Sequence, residues 1–357
     1  MTLATTRYAE VTVAGTPRQM GEQIGEALRE QIRGFDAIAL ERVRKTVDVS
    51  PERALNMARR CIDDVCGYAP HMLEELEGMA HASTVSLERL MLLQIRNQLQ
   101  PDGVSAGGGC TSLALGPAAG RSITGQNWDN DPALDPFSVV LTRRPDDAPD
   151  FLCITQAGLI AYLGVNDAGL GLCMNTLPAP ARPVGVPHYF TVRGIYESRG
   201  LDEAVEAVRR ADRAIPANIM LATPEGPADL EITIDDIHVL RGSDAGPGVV
   251  THTNHCVHPD LVPINDDFPE LIQSVPRKGR VDELLAAAPR PIERSALERI
   301  LSDHQDHPQS ICRHANDHPA TGFWTSVWSL LIDADAGELH LSRGNPCEQP
   351  YETYSLN

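Results

Sequence analysis

The sequence predicts an α+β protein in which β-sheets pack on each other and are covered by helices. Three observations predict this class. Over the first hundred residues apolar side chains recur at helical spacing, and a glycine-rich stretch without periodicity follows. After it, short strand patterns alternate with two helical blocks. Helices followed by many strands fit layered sheets with a helical cover, in one compact body.

Composition limits the classes of partner. The chain has 357 residues, of which 42% are hydrophobic, which is ample for a large core. Its net charge of −19 argues against a nucleic-acid partner and against docking on an anionic membrane. No apolar run approaches the roughly 18 residues of a membrane span. With no signal-peptide pattern at the N-terminus, we expect a cytoplasmic protein. The oligomeric state is not predicted.

The eight cysteines are scattered and form no close CxxC pair. In a chain of this length that pattern fits reduced thiols better than a disulfide framework. We expect seven of them to be buried small hydrophobes, with Cys110 as the exception.

The helices of the first hundred residues have readable start signals. Thr16-Pro17 and Ser50-Pro51 each place an N-cap hydroxyl before a proline in the first turn. A strand at 8–13 precedes these helices, a third helix covers about 70–80, and Ser86 opens a fourth. Strands are predicted at 111–115, 122–127, 138–142, 151–155, 159–164, 170–175, 219–222, 229–233, 238–241, 249–253, 326–333 and 338–342. Further helices are predicted at 189–211 with a break near Gly200, at 280–288 and at 295–303.

Three glycines stand directly before Cys110, at the point where the strands begin. Glycine tolerates backbone geometries that other residues avoid. A strained Gly109–Cys110 peptide would place the Cys110 thiol against the Gly109 carbonyl, and attack followed by hydrolysis would cut the chain there. The alternative is a flexible loop that meets a buried cysteine. The segment 101–109 is a processing loop in the first interpretation.

A cut at this bond would give Cys110 both a thiol and a free α-amino group. The pKa of such an amino group is about 7.7–8.0, so it can accept the thiol proton near neutral pH. One residue would then supply nucleophile and base, as a neighbouring base does in other hydrolases.

Asp129 follows Cys110 across a turn at 116–120. A hairpin would bring its carboxylate back beside Cys110, where it can hold the new amino group and raise the pKa of that amine. The alternative is that Asp129, Asn130 and Asp131 form a turn that ends a strand.

Asn254 ends a predicted strand in the run Thr251 to Cys256. Its side-chain amide can donate to an oxyanion, a contact typically worth about a hundred- to a thousand-fold in rate. The rival interpretation is a metal site built on His252, His255, Cys256 and His258. Two points weigh against it. Zinc sites usually need four ligands at more regular spacing, or three with an open position. In a strand, His252 and His255 would also face opposite sides.

Two further residues are weaker candidates. Arg313, in Ser310-Ile311-Cys312-Arg313, can orient a carboxylate or form an ordinary surface ion pair. Asn175 ends a predicted strand and can line a substrate pocket, although an asparagine at a strand end is more often structural.

Taken together, these motifs resemble the acyl-coenzyme A:6-aminopenicillanic acid acyltransferase family of N-terminal nucleophile hydrolases. The similarity runs in order along nearly the whole chain, and Gly-Cys followed by GQNWD at this separation is its most specific part. The matching segments are 15–25, Gly109 to Ser112, Gly125 to Asp129, Thr253 to His255, Ser310 to Arg313 and 343–346.

The resemblance implies a four-layer αββα sandwich of the N-terminal nucleophile type. It also implies autocatalytic cutting into an α chain, 1–109, and a β chain, 110–357, within one compact domain. By the same resemblance Cys110 is the nucleophile, Asp129 positions the new amine, Asn254 helps stabilise the oxyanion and Arg313 shapes the site. The interval from Cys110 to Asp129 is slightly longer than in the fungal penicillin enzyme, so the substrate is not carried over.

The leading hypothesis is therefore an amidohydrolase of small N-acyl compounds that works through an acyl-enzyme at Cys110. Hydrolysis is favoured over transfer because water is always present. The alternatives are an acyltransferase acting on a β-lactam or other secondary-metabolite amine, a binding protein that keeps only the fold, and a His/Cys metal protein. The leading hypothesis implies no metal or organic cofactor.

Overall fold

The structure is a computed structural model that describes residues 6–99, 109–268, 273–318 and 322–357. Apart from Gly109, the predicted processing loop at 101–109 lies outside the described residues. The chain runs through Gly109 into Cys110, so the geometry below is that of the uncut precursor.

The N-terminal third is helical, as predicted. Its helix starts follow the sequence signals: the Thr16 side chain accepts a hydrogen bond from the Gln19 N–H, and the Ser50 side chain accepts one from the Arg53 N–H. The helices are α1 (Pro17–Ala27), α2 (Arg29–Val43), α3 (Pro51–Tyr68), α4 (Pro70–Ser83) and α5 (Leu87–Gln94).

Two sheets form the centre of the molecule. The strands are β1 (Glu10–Gly15), β2 (Thr111–Leu115), β3 (Ile123–Asn130), β4 (Ser138–Pro145), β5 (Phe151–Gln156), β6 (Leu163–Asn166), β7 (Gly171–Asn175), β8 (Ala217–Ala222), β9 (Ala228–Ile232), β10 (Ile237–Leu240), β11 (Val249–His252), β12 (Thr325–Asp333), β13 (Glu338–Arg343) and β14 (Tyr351–Ser355). The later helices are α6 (His188–Tyr196), α7 (Leu201–Arg209), α8 (Ser274–Ala287) and α9 (Arg294–Leu301).

The strands divide into two sheets. Sheet A has the order β1-β4-β5-β6-β7-β8-β9-β10, and sheet B has the order β11-β2-β3-β12-β13-β14. Within sheet A, β1 pairs parallel with β4, so the N-terminal segment shares a sheet with strands that follow Cys110. The other neighbouring strands pair antiparallel.

Alternate residues of β2 show how the layers stack. Ala114 belongs to the large core that holds the N-terminal helices and both sheets. Leu113 and Leu115 face the opposite way and pack with Val281 and Leu285 of α8. The layers are therefore helices, sheet A, sheet B and helices, and the predicted αββα sandwich is confirmed.

Four points of the sequence analysis need correction. The strand expected at 159–164 begins only at Leu163, and β14 was not predicted. Asp129 does not end a strand in a turn, because β3 runs on to Asn130. Cys66 and Cys347 are exposed, so the expectation of seven buried cysteines is wrong for these two.

Among the described residues, no helix has the length and apolar character to cross a bilayer.

Candidate active site

The β2–β3 hairpin sets the geometry at the predicted cleavage bond. Thr111 pairs with Asn127, and Ser112 pairs with Gln126. If this register is extended by two residues before Thr111, Gly109 lies opposite Asp129. The sequence prediction that a hairpin returns Asp129 to the nucleophile agrees with this pairing.

Gly109 lies tightly against two charged side chains. A Cβ at this position would fall 2.6 Å from Asp129 Oδ2 and 2.7 Å from Arg313 Nη1, closer than real Cβ atoms approach other heavy atoms. Any side chain here would displace the carboxylate or the guanidinium. The glycine therefore lets both charged groups reach the peptide that joins it to Cys110.

The Cys110 side chain is buried at the floor of a cleft. Burial, together with the neighbouring Asp129 carboxylate, raises the pKa of its thiol to about 11. The Asp129 backbone N–H, the Arg277 guanidinium and the Gln126 side chain act in the opposite direction. In the uncut chain the thiol is therefore protonated at neutral pH and needs a base.

Asp129 is a buried carboxyl group with one engaged oxygen. The Ser326 hydroxyl donates to Oδ1 at 2.6 Å, whereas Oδ2 has no hydrogen-bond partner among the described residues. Burial raises the pKa of Asp129 to about 7, although Arg313, Ser326 and Arg277 act to lower it. A carboxyl group with this pKa can accept and return a proton near neutral pH.

Arg313 is held by the strand next to Asp129. Its backbone N–H donates to the Ser326 hydroxyl at 3.0 Å, and its carbonyl accepts from the Ser326 N–H at 2.9 Å. The Asn345 side chain donates to the same carbonyl at 2.7 Å. Arg313 is thus a buried residue beside Gly109 and Asp129, and not a surface ion pair.

Asn254 reaches the site indirectly. Its side-chain amide donates to the carbonyl and the hydroxyl of Thr176, both at 3.1 Å, and Thr176 lines the cleft. Asn254 itself is not among the cleft-lining residues described. An oxyanion role for Asn254 therefore stays a prediction.

Arg277, on α8, was missed by the sequence analysis. Its Nη1 donates to the Cys110 carbonyl at 2.6 Å and to the Thr111 hydroxyl at 2.9 Å, and its Nη2 donates to Asn254 Oδ1 at 2.9 Å. It is buried, and burial lowers its pKa to about 10. The neighbouring Lys278 and Arg280 carry the same charge but pair with acids, so no sequence signal separated Arg277 from them.

Asn175 does not line the cleft, although its neighbours Met174 and Thr176 do. Its amide donates to the Ser112 hydroxyl at 2.7 Å and to Asn218 Oδ1 at 3.1 Å. The sequence assignment of Asn175 to substrate binding therefore has no support in this geometry, because the side chain is engaged between the sheets.

The four side chains of the rival metal hypothesis do not converge. His252 is fully buried and pairs with Glu231 at 2.7 Å, while His255 Nδ1 contacts the Ser274 hydroxyl at 2.8 Å. Cys256 Sγ donates to the Pro178 carbonyl. A metal site on these residues would need the His252–Glu231 pair to break.

The cleft above Cys110 encloses about 900 Å³, including space open to solvent. Its walls combine aromatic and aliphatic side chains with two arginines. The lining residues are Ala39, Arg42, Val43, Thr46, Arg96, Asn97, Cys110, Trp128, Asp129, Asn130, Asp131, Leu134, Tyr162, Met174, Thr176, Tyr189, Phe323 and Trp324.

The two arginines of the cleft differ in their partners. Arg42 is paired with Asp131. Arg96 donates to the Leu93 carbonyl and lies 4.6 Å over the Phe35 ring, but no carboxylate of the described residues pairs with it.

Comparison with known proteins decides the family. The profile of acyl-coenzyme A:6-aminopenicillanic acid acyl-transferase matches residues 118–348, more than half of the chain. The chain belongs to this family. The matched region begins after Cys110 and includes Asp129, Asn254, Arg277 and Arg313.

A relative extends the similarity beyond that region. The 40 kDa form of acyl-coenzyme A:6-aminopenicillanic-acid-acyltransferase from Emericella nidulans is 28% identical over 350 residues, 97% of this chain and 95% of the relative. The predicted family is thereby confirmed, and with it the prediction of an enzyme that acts on amides.

Solved structures with a weak similarity to the chain include an acylase and a hydrolase. Penicillin V acylase from Agrobacterium tumefaciens is 13% identical, with a TM-score of 0.45, and the match covers 66% of this chain and 82% of the acylase. A mutant of conjugated bile acid hydrolase from Clostridium perfringens is 14% identical, with a TM-score of 0.45, covering 70% of this chain and 97% of the hydrolase.

Proposed function

We propose that the chain cuts itself between Gly109 and Cys110 and then cleaves amide bonds of small N-acyl compounds with Cys110 as nucleophile. The cut divides the precursor into an α chain, 1–109, and a β chain, 110–357, which stay in one body. The observation that carries this proposal is the contact of Gly109 with Asp129 and Arg313, because it sets a basic oxygen and a cation at the bond to be broken.

The self-cleavage step follows from these positions. Asp129 Oδ2 accepts the thiol proton, and Cys110 Sγ attacks the Gly109 carbonyl carbon. The C–N bond then breaks, the α-amino nitrogen of Cys110 takes up a proton, and a thioester joins Gly109 to Cys110. Water hydrolyses the thioester to a Gly109 carboxylate and a free Cys110 thiol.

After the cut, Asp129 changes its task. The new α-amino group forms where the peptide nitrogen was, close to the carboxylate that previously faced Gly109. A carboxylate at hydrogen-bond distance holds the amine and favours its protonated form. The amine in turn takes the thiol proton at each turnover, and Asp129 serves as its positioning residue.

Substrate turnover repeats the same chemistry on an external amide. The Cys110 thiolate attacks the amide carbonyl, the amine departs with a proton from the α-amino group, and water releases the acid from the thioester. We assign Asn254 to the oxyanion, with Arg277 holding its carbonyl oxygen so that the amide nitrogen points to Thr176, a residue that lines the cleft.

The cleft walls support a substrate that is partly apolar and carries an anion. Trp128, Tyr162 and Trp324 offer aromatic surface to an acyl chain or ring. Arg96 offers a buried guanidinium that lacks a carboxylate partner among the described residues, and planar carboxylates match its geometry. We therefore propose N-acyl compounds that bear a carboxylate, such as acyl-amino acids or penicillins.

An acyltransferase is the second candidate, because the Emericella nidulans relative is named as one and aligns over 97% of the chain. The two candidates share the acyl-enzyme and differ only in whether water or an amine resolves it. We further propose a cytoplasmic location and no nucleic-acid partner. The free thiols and the net charge of −19 support these two statements.

A panel of acyl compounds tests the function. Each carboxylate is assayed beside its methyl ester, with and without a competing amine, in the wild type, Arg96→Met and Cys110→Ala. We expect the acid as main product, a preference for the carboxylate that Arg96→Met abolishes, and no turnover by Cys110→Ala. Mostly amide product in the presence of amine would identify a transferase. Turnover by Cys110→Ala would overturn the assigned nucleophile.

A further inference from the structure

We propose that His304, Cys312, His314 and Cys347 form a zinc site. Their ligand atoms all lie within 4.8 Å of one another, although they come from three separate parts of the chain. His304 follows α9, Cys312 and His314 lie in the segment before β12, and Cys347 lies between β13 and β14. Two thiolates and two imidazoles are a frequent ligand set of structural zinc.

Four of the six distances between these atoms are close to the edges of a tetrahedron around one ion, and the other two are below 4.8 Å. Zinc bonds of about 2.3 Å to sulfur and about 2.0–2.1 Å to nitrogen imply edges of ~3.8 Å for S–S, ~3.6 Å for S–N and ~3.3 Å for N–N. Cys312 Sγ and Cys347 Sγ are 3.7 Å apart, and His314 Nε2 lies 3.7 Å and 3.3 Å from them. His304 Nε2 and His314 Nε2 are 3.1 Å apart.

Other readings of the cluster fit less well. A disulfide needs the sulfurs about 2.05 Å apart, far below the observed 3.7 Å. Direct hydrogen bonds account poorly for the cluster, because His314 Nε2 contacts three of the other ligand atoms but carries only one proton or one lone pair. One divalent cation satisfies every ligand atom and balances the charge of two thiolates.

Outer contacts support the ligands. The Asn345 side chain donates to Cys312 Sγ at 3.4 Å, and His314 Nδ1 lies 3.9 Å from a Glu348 carboxylate oxygen. Residues that contact the ligands in this way orient them around the metal. The spacing of the ligands matches no common zinc motif, and their convergence depends on the fold of sheet B. This explains why the sequence indicated no metal here.

The zinc site would also position Arg313. Two of its ligands, Cys312 and His314, flank Arg313 in the chain, and Asn345 contacts both Cys312 Sγ and the Arg313 carbonyl. Ser326 then links the Arg313 backbone to Asp129. Zinc would thus fix the segment that places a cation beside Gly109. This second role rests on the proposed function, whereas metal binding does not.

Metal content of the purified, untagged protein tests the site. We expect about one zinc per chain in the wild type and loss of most of it in Cys347→Ser and His304→Ala. The matched controls are Cys66→Ser and His307→Ala, an exposed cysteine and a nearby histidine outside the cluster, which should keep their zinc. Wild-type protein without metal and with all thiols titratable would overturn the site, as would a Cys312–Cys347 disulfide found by mass.

Cobalt exchange and thermal unfolding give readouts independent of activity. Cobalt-loaded wild type should show thiolate charge-transfer and tetrahedral ligand-field bands that Cys347→Ser lacks. A chelator should lower the Tm of the wild type and leave that of Cys347→Ser unchanged. Equal chelator effects on both proteins would overturn the site. If zinc binds but its removal leaves self-cleavage unchanged, the link to Arg313 is wrong and the metal site stands.

Discussion

The Asp129 carboxyl group has to act at two successive stages. In the precursor it faces Gly109 and a protonated thiol, and after the cut it faces a new amine. Both tasks use the oxygen that has no partner in the described chain, while Ser326 holds the other oxygen in place. A buried carboxyl group with a raised pKa suits proton transfer near neutral pH.

The rate of self-cleavage should therefore depend on pH through Asp129. Because the base is the deprotonated form, the rate should rise as pH increases through about 7, the raised pKa of Asp129, and then level off. Freshly translated precursor, moved to buffers of different pH and followed on denaturing gels, measures this profile.

Two variants sharpen this measurement. Asp129→Asn should remain uncut at every pH. Ser326→Ala removes a hydrogen bond that lowers the pKa of Asp129, so the midpoint of its profile should move to higher pH. A rate that falls over this range, or cleavage of Asp129→Asn at the wild-type rate, would exclude Asp129 as the base.

Arg277 joins three groups of the site through one guanidinium. Replacing it with Met leaves buried acceptors unpaired, at about 1–3 kcal/mol each, and releases Asn254. In protein that has been cut, we expect Arg277→Met to lower kcat about 10- to 1,000-fold with little change in KM. Arg277→Lys should recover only part of this loss, because an ammonium cannot span the three acceptors.

Lys278→Met is the matched control for Arg277, because Lys278 lies next to it on α8 but pairs with Asp282. Its kcat should stay near the wild-type value. Equal kcat losses in both variants, or a change confined to KM in Arg277→Met, would show that Arg277 does not position the oxyanion donor.

Among the elements, α1 and α4 pack unusually closely. A Cβ at Gly21 of α1 would lie 1.9 Å from the Glu75 carbonyl of α4, and one at Gly25 would lie 2.7 Å from the Met79 carbonyl. The spacing of Gly21 and Gly25 is thus a helix-packing feature. Its conformational role is secondary, since both glycines are inside a helix.

Gly21→Ala should lower the free energy of unfolding by about 1–3 kcal/mol, because backbone atoms cannot make room for the methyl group. Gly67→Ala on α3 is the control, because its Cβ would meet no atom within 4 Å. That change should be neutral or stabilising by up to about 1 kcal/mol. Urea unfolding compares the two, and equal stabilities would contradict the close packing.

The elements also show how much of the fold and the site could be predicted from the sequence. Helix starts and most strands were predictable because caps, prolines and alternation act locally, as at Thr16, Ser50 and the β2–β3 hairpin. Arg277 and the four proposed zinc ligands were not, because their roles depend on α8, α9 and the β13–β14 connection meeting sheet B. The role of Asn175 stays a prediction, because a strand end does not reveal which way its side chain points.

At the scale of the whole molecule, the segment before Gly109 and the segment after it share one core. Strand β1 pairs with β4, and the helices of the first hundred residues pack in the same cluster as both sheets. A cut between Gly109 and Cys110 would therefore leave two chains held together by a continuous apolar interior. We expect the cut enzyme to migrate as one species under native conditions.

The most direct test of this account is the intact mass of the purified wild-type protein under denaturing conditions, with N-terminal sequencing of each fragment. The account predicts two fragments, one ending at Gly109 and one beginning with Cys110, and a single uncut chain for Cys110→Ala. A wild-type chain that stays whole while it hydrolyses amides, or a second N-terminus at any residue other than Cys110, would contradict it.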